Sequence, residues 1–114
     1  MKLRSINDDT TNISGTSLKG YVTTTKANLV KAFGEPNEYY GDKVNLEWRF
    51  VFETDGADVV ATVYDWKNYD YRLTDDEVYE FHVGGRTHEV VPAIVSALIQ
   101  RGGKVFKAPT SSLI

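Results

Sequence analysis

The sequence predicts an α+β domain, a small antiparallel sheet built on a central β-hairpin and covered on one face by two helices. Three observations predict it. First, Asp55-Gly56 sits between two alternating apolar runs, and both central positions of a tight hairpin turn need the positive φ that Asp tolerates and Gly adopts freely. Second, closing Val44 to Trp66 at that turn puts Trp48, Phe50 and Phe52 opposite Val63, Ala61 and Val59, so one face is apolar throughout. Third, two segments with apolar residues at helical spacing flank the hairpin and need a surface to bury against.

The elements follow in order. Residues 1–16 are mostly polar and read as a loosely ordered arm, or as an edge strand if Leu3 and Ile6 find a partner. Leu18, Gly20 and Val22 alternate with Lys19, Tyr21 and Thr23, which predicts a first strand. A short helix follows, capped by Thr24 or Thr25 and ended by Gly34 ahead of Pro36, with Leu29, Val30 and Phe33 as its stripe. Glu35 to Lys43 is a loop carrying Tyr39 and Tyr40.

In the hairpin, Thr54 pairs with Ala57. Its second face pairs Val51 with Val60, Arg49 with Thr62, Glu47 with Tyr64 and Asn45 with Trp66. After an aromatic loop, Val78 to Val83 alternates as a further strand that Gly84-Gly85 breaks. Thr87 is the expected cap of a second helix with stripe Val91, Ile94, Val95 and Leu98. Pro92 either marks the first turn of that helix or kinks it. Lys104 to Ile114 reads as a tail whose Val105 and Phe106 can dock on the body. Burying Trp48, Phe50, Phe52, Phe33, Phe81 and Leu98 contributes roughly 1.5–3 kcal/mol each.

With 114 residues the chain is one domain, and a net charge of −3 marks neither a basic nucleic-acid binder nor a mimic of nucleic acid. No cysteine is present, which removes disulfides, thiol catalysis and thiolate zinc sites. No apolar run approaches a membrane span and the first residues lack a signal-peptide core, so the expected location is the cytoplasm. Nothing in the sequence calls for a cofactor or a metal.

Three clusters are candidate binding surfaces. On the hairpin's second face, Arg49 and Tyr64 stand among Glu47, Thr62 and Trp66, with Glu80 and His82 nearby. An arginine among rings and carboxylates can stack on a flat ligand and bond it, although a solvated face with paired charges is the plainer account. Trp66, Lys67, Tyr69 and Tyr71, interleaved with Asp65, Asn68 and Asp70, resemble a stacking platform with polar readers. They also suit ordinary loop cover. Gly84, Gly85 and Arg86, at the start of a helix, can form an anion pocket from backbone N–H groups, or merely a turn.

No catalytic pattern stands out, and the chain is expected not to be an enzyme. Glu80 and His82 can work as an acid–base pair on one strand, but a hydrogen-bonded structural pair is the plainer account. If the last strand runs antiparallel beside Ala57–Trp66, Trp66 lies near Glu77 and far from Gly84. A parallel strand, or two subunits meeting end to end, would bring the two clusters together.

Several pieces in this order, NISGTSLKGYV, LVKAFGEP, DKVNLEWRFVFETDG, ADVVATVYDWK and FHVGG, resemble a family of small proteins encoded by tailed phages and prophages. The resemblance spans roughly residues 1–100, with the tail after Gly103 outside it. It brings no catalytic residues. What it implies is a setting, an accessory phage protein in the bacterial host cytoplasm. It also implies a role in counter-defence, by sequestering a small nucleotide-like signal or by binding a host defence protein, alone or as a homo-oligomer. The alternative is a protein–protein inhibitor or assembly module that binds a host or phage protein through the same aromatic surface.

Overall fold

The computed structural model describes residues 1–40, 43–67 and 73–106. The described residues form six strands and two helices: β1 (Lys2–Ile6), β2 (Ser17–Thr25), α1 (Lys26–Phe33), β3 (Asn37–Glu38), β4 (Leu46–Thr54), β5 (Ala57–Tyr64), β6 (Val78–Gly85) and α2 (Val90–Gln100). The sheet runs β1-β4-β5-β6-β2 with every neighbour antiparallel, and β3 pairs with β4. The fold is therefore α+β, as its sequence predicts.

The hairpin has the expected register, with Phe52 opposite Val59, Phe50 opposite Ala61 and Trp48 opposite Val63. Asp55 and Gly56 both take positive φ, 51° and 78°, the backbone of a type I′ turn. The ladder stops at Glu47–Tyr64, however. The expected Asn45–Trp66 pair does not form, because the Asp65 carboxylate takes the N–H groups of Asn45 and Leu46 instead, at 2.8 and 2.9 Å.

Thr25 caps α1 by accepting from the Asn28 N–H, and Gly34 ends the helix with φ of 85°. At the other helix the expected Thr87 cap fails, while Pro92 marks the first turn as one of its two readings had it. The N-cap of α2 is Glu89, with no side-chain cap bond, and the helix starts at Val90, so Pro92 falls inside the first turn. Its buried face is Val90, Ile94, Ala97 and Leu98, while Val91 and Val95 are only partly buried.

The N-terminal segment finds its partner. Lys2–Ile6 lies along β4, with Leu3 opposite Phe52 and Ile6 opposite Phe50. Asn7 prolongs that pairing: its N–H donates to the Arg49 carbonyl and its Oδ1 accepts from the Arg49 N–H, both at 2.7 Å. Both outer strands shift register by one residue, β1 at Arg4 and β2 at Lys19. A bulge bearing a charge is a common protection against edge-to-edge pairing.

One core cluster unites Trp48, Phe50, Phe52 and Phe81 of the sheet with Leu29 and Phe33 of α1 and Val90, Ile94 and Leu98 of α2. Phe33 meets Phe50 edge-on at 4.8 Å, and the Trp48 indole N–H donates to the Gly34 carbonyl at 2.8 Å. After α2, the Phe106 N–H donates to the Thr23 carbonyl of β2 at 2.8 Å. Among the described residues no helix is long and apolar enough to cross a membrane.

Gly84 and Gly85 do not break β6; they are its last two residues, paired with Leu18 and Ser17 of β2 and with Thr62 and Ala61 of β5. Packing explains the glycines. A Cβ on Gly84 would lie 2.6 Å from Thr62 Oγ1, and one on Gly85 would lie 2.6 Å from Val90 Cγ2. Because Val90 is fully buried and β-branched, the clash at Gly85 has little room to relax. Gly85→Ala is expected to cost about 1–3 kcal/mol in urea unfolding, and a neutral result would show that α2 docks more loosely on β6 than this contact implies.

Candidate functional site

Alternation along the strands turns Glu47 and Arg49 of β4, Thr62 and Tyr64 of β5, His82 of β6 and Tyr21 of β2 away from the Trp48–Phe50 side. Their rings gather. Trp66 stacks on His82 with centroids 5.7 Å apart and planes at 25°. Tyr64 meets both Trp66 (6.2 Å) and His82 (5.3 Å), and Tyr21 meets His82 edge-on at 5.0 Å.

Trp66 is held through its backbone. Its N–H donates to the Tyr79 hydroxyl, which donates back to the Trp66 carbonyl, both at 3.2 Å. On one side of it, Asp65 anchors the chain to Asn45 and Leu46. On the other, the Lys67 N–H donates to the Lys43 carbonyl at 2.7 Å. This clip sets two ammonium groups over the indole, Lys43 Nζ at 5.8 Å and Lys67 Nζ at 6.0 Å from the ring centroid. Trp66 stays 37% exposed.

Two hollows adjoin Trp66. One of about 480 Å³ is lined by Tyr39, Tyr40, Lys43, Val44, Glu47 and Arg49, with Trp66. The other, about 210 Å³, is lined among others by Ser17, Thr62, Tyr64 and Gly84. Val44, Glu47 and Trp66 belong to both, so the two form one groove with a shared wall. A larger hollow, about 940 Å³, lies between α2 and the β1–β4 side and is lined by Leu3, Phe52, Pro92 and Ala93 among others. Among the described residues Phe52 is the one aromatic ring in its lining, and it is itself 1% exposed, so these residues offer no stacking surface there.

Charge in the groove is organised around Glu47. Its Oε1 accepts from Arg49 Nε at 2.7 Å and from the Tyr39 hydroxyl at 3.1 Å. The hydrogen bond to Glu47 holds the Arg49 guanidinium pKa above its ordinary value, and burial followed by the Glu47 charge raises that of Tyr39. Tyr64 is raised in the same way, first by burial and then by Glu47. Among the described residues no group of three metal-ligating side chains comes together.

Burial lowers the His82 pKa from its ordinary 6.5, with Glu80 and Asp65 pulling weakly the other way. The folded chain thus resists a proton that the unfolded chain accepts, so stability is full above that value and declines as pH falls below it. The melting temperature is expected to drop between about pH 7 and pH 5, and His82→Phe should flatten that part of the profile. Equal slopes in both proteins would remove His82 as the cause.

The structure gathers Arg49, Tyr64, Trp66, Lys67, His82 and Gly84 around one region. Tyr69 and Tyr71 lie outside the described residues. Gly85 faces Val90 instead. The anion pocket expected at Gly84-Gly85-Arg86 is corrected: the glycines are strand, and Arg86 donates to the carbonyls of Ser14 and Asn12, at 2.7 and 3.1 Å from Nη2.

β6 does run antiparallel to β5, yet Trp66 and Gly84 still border one hollow, because Trp66 leans over His82. Sequence reasoning missed Tyr39, Tyr40, Lys43 and Tyr79 as parts of the site. One signal was present for Asp65, a charged residue at the core parity of the run 59, 61, 63, 65.

No protein-family model matches the chain, and no curated protein or solved structure matches it either.

Proposed function

We propose that this chain is a non-enzymatic binding protein that holds a planar, anionic, nucleotide-like molecule in the groove around Trp66. The two helices close the Trp48–Phe50 face of the sheet and leave the opposite face for recognition. The observation that carries the reading is Trp66 itself, a part-exposed indole beside two ammonium groups and walled by Tyr39, Tyr40 and Arg49. A base stacks on the rings while Lys43 and Lys67 neutralise its phosphate. A hollow of about 480 Å³ is also within the range of small-ligand sites. The resemblance to small tailed-phage proteins supports a setting in the bacterial host cytoplasm and a counter-defence role for such sequestration.

Titration with nucleoside monophosphates and cyclic nucleotides should quench Trp66 fluorescence and raise the melting temperature with the logarithm of concentration. Trp66→Ala should weaken binding by about 5- to 100-fold, the worth of one stacked base. If no nucleotide produces either signal, the reading is wrong.

A second reading has its own observation. Tyr21, Tyr40 and Trp66 are all exposed, and exposed aromatics of this kind form the centres of protein interfaces. A host protein retained by the wild-type chain and lost on Trp66→Ala, with nucleotides silent, would favour that partner.

A further inference from the structure

Glu47 stands in the wall common to both hollows, and only half of its carboxylate is engaged. Oε1 receives Arg49 and Tyr39. No donor from the described residues reaches Oε2, although the side chain is only 12% exposed. A ring that stacks on Trp66 in the hollow beside Glu47 strips water from that oxygen and must replace it with N–H donors, or the charge is left unsatisfied.

We propose that the base taken up here is of the guanine type, read by Glu47 through its N1–H and exocyclic N2 amino group. This rests on the groove being a nucleotide site and adds which nucleotide it selects. Guanine presents two adjacent donors on one edge. Adenine and cytosine each present a single amino donor beside a ring-nitrogen acceptor, whose lone pair faces the carboxylate and is repelled. The fit is chemical, and Arg49 strengthens it. Its guanidinium bonds Oε1 and neutralises the pair as a whole, so the ligand's phosphate is not driven off by a bare carboxylate.

Three probes on the wild-type protein decide the matter: guanosine, inosine and adenosine 5′-monophosphate, each titrated against Trp fluorescence. Guanosine monophosphate is expected to bind tightest. Inosine monophosphate, which keeps N1–H and lacks the amino group, should bind at least about tenfold more weakly, the scale of one lost hydrogen bond to a charged group. Adenosine monophosphate should be weaker again. Glu47→Gln should then narrow the spread among the three, with circular dichroism confirming that the variant is folded. If adenosine monophosphate binds as well as guanosine monophosphate, the Glu47 assignment is overturned while the nucleotide site survives. If none of the three binds, both fall.

Discussion

Trp48→Ala is expected to lower the unfolding free energy by about 3–5 kcal/mol, a large share of the ~5–15 kcal/mol that a domain of this kind has in all. Trp48 is 0% exposed and packs edge-on against Phe81 at 6.2 Å. Its indole N–H also satisfies the Gly34 carbonyl at 2.8 Å. Truncation therefore opens a cavity in mid-sheet and leaves the end of α1 without a donor. Trp48→Phe retains most of the packing and should lose about 1 kcal/mol, near the worth of the hydrogen bond alone. Urea unfolding of the pair separates the two contributions. A cost below 1 kcal/mol for Trp48→Ala would mean that this face is not the core.

Asp65→Ala should come next, at about 3 kcal/mol. The side chain is 0% exposed, and one oxygen, Oδ1, accepts from both Asn45 and Leu46. Removing it orphans two backbone donors at the mouth of the hairpin, where each loses a bond to a charged group. The other oxygen, Oδ2, is buried with no hydrogen-bond partner among the described residues, so the native carboxylate carries an uncompensated cost that moderates the loss. Asp65→Asn keeps an acceptor and sheds the charge, and it should be clearly milder than Asp65→Ala. Trp66 follows directly in sequence, so its fluorescence maximum should move towards that of free indole in Asp65→Ala, even under conditions where the variant is folded. Unchanged stability with an unchanged spectrum would show that Tyr79 and the Lys67–Lys43 bond hold Trp66 without Asp65.

The sequence by itself determined the parts that rest on neighbours in the chain. Asp55-Gly56 can only turn one way, and once turned it sets every pair from Thr54–Ala57 to Glu47–Tyr64. Thr25 and Gly34 bound α1 because free N–H groups and a left-handed residue are needed within a few positions of each other. Alternation along Val78 to Val83 likewise sorted its side chains between the faces correctly.

What only the tertiary structure decided rests on partners far along the chain. Gly84-Gly85 looks like a strand breaker in isolation. It is strand because β2 and β5 supply its hydrogen bonds while Thr62 and Val90 occupy the space of its missing side chains. Arg86 looked like an anion ligand until the carbonyls of Asn12 and Ser14 claimed it. Lys2–Ile6 is a strand through Phe50 and Phe52, some fifty residues away. The groove follows the same rule, since the Lys43 carbonyl is tied to the Lys67 N–H across the hairpin mouth, beside Trp66. Local conformational preference can be read from a few adjacent residues; long-range hydrogen bonding and steric fit depend on which surfaces the closed sheet brings face to face.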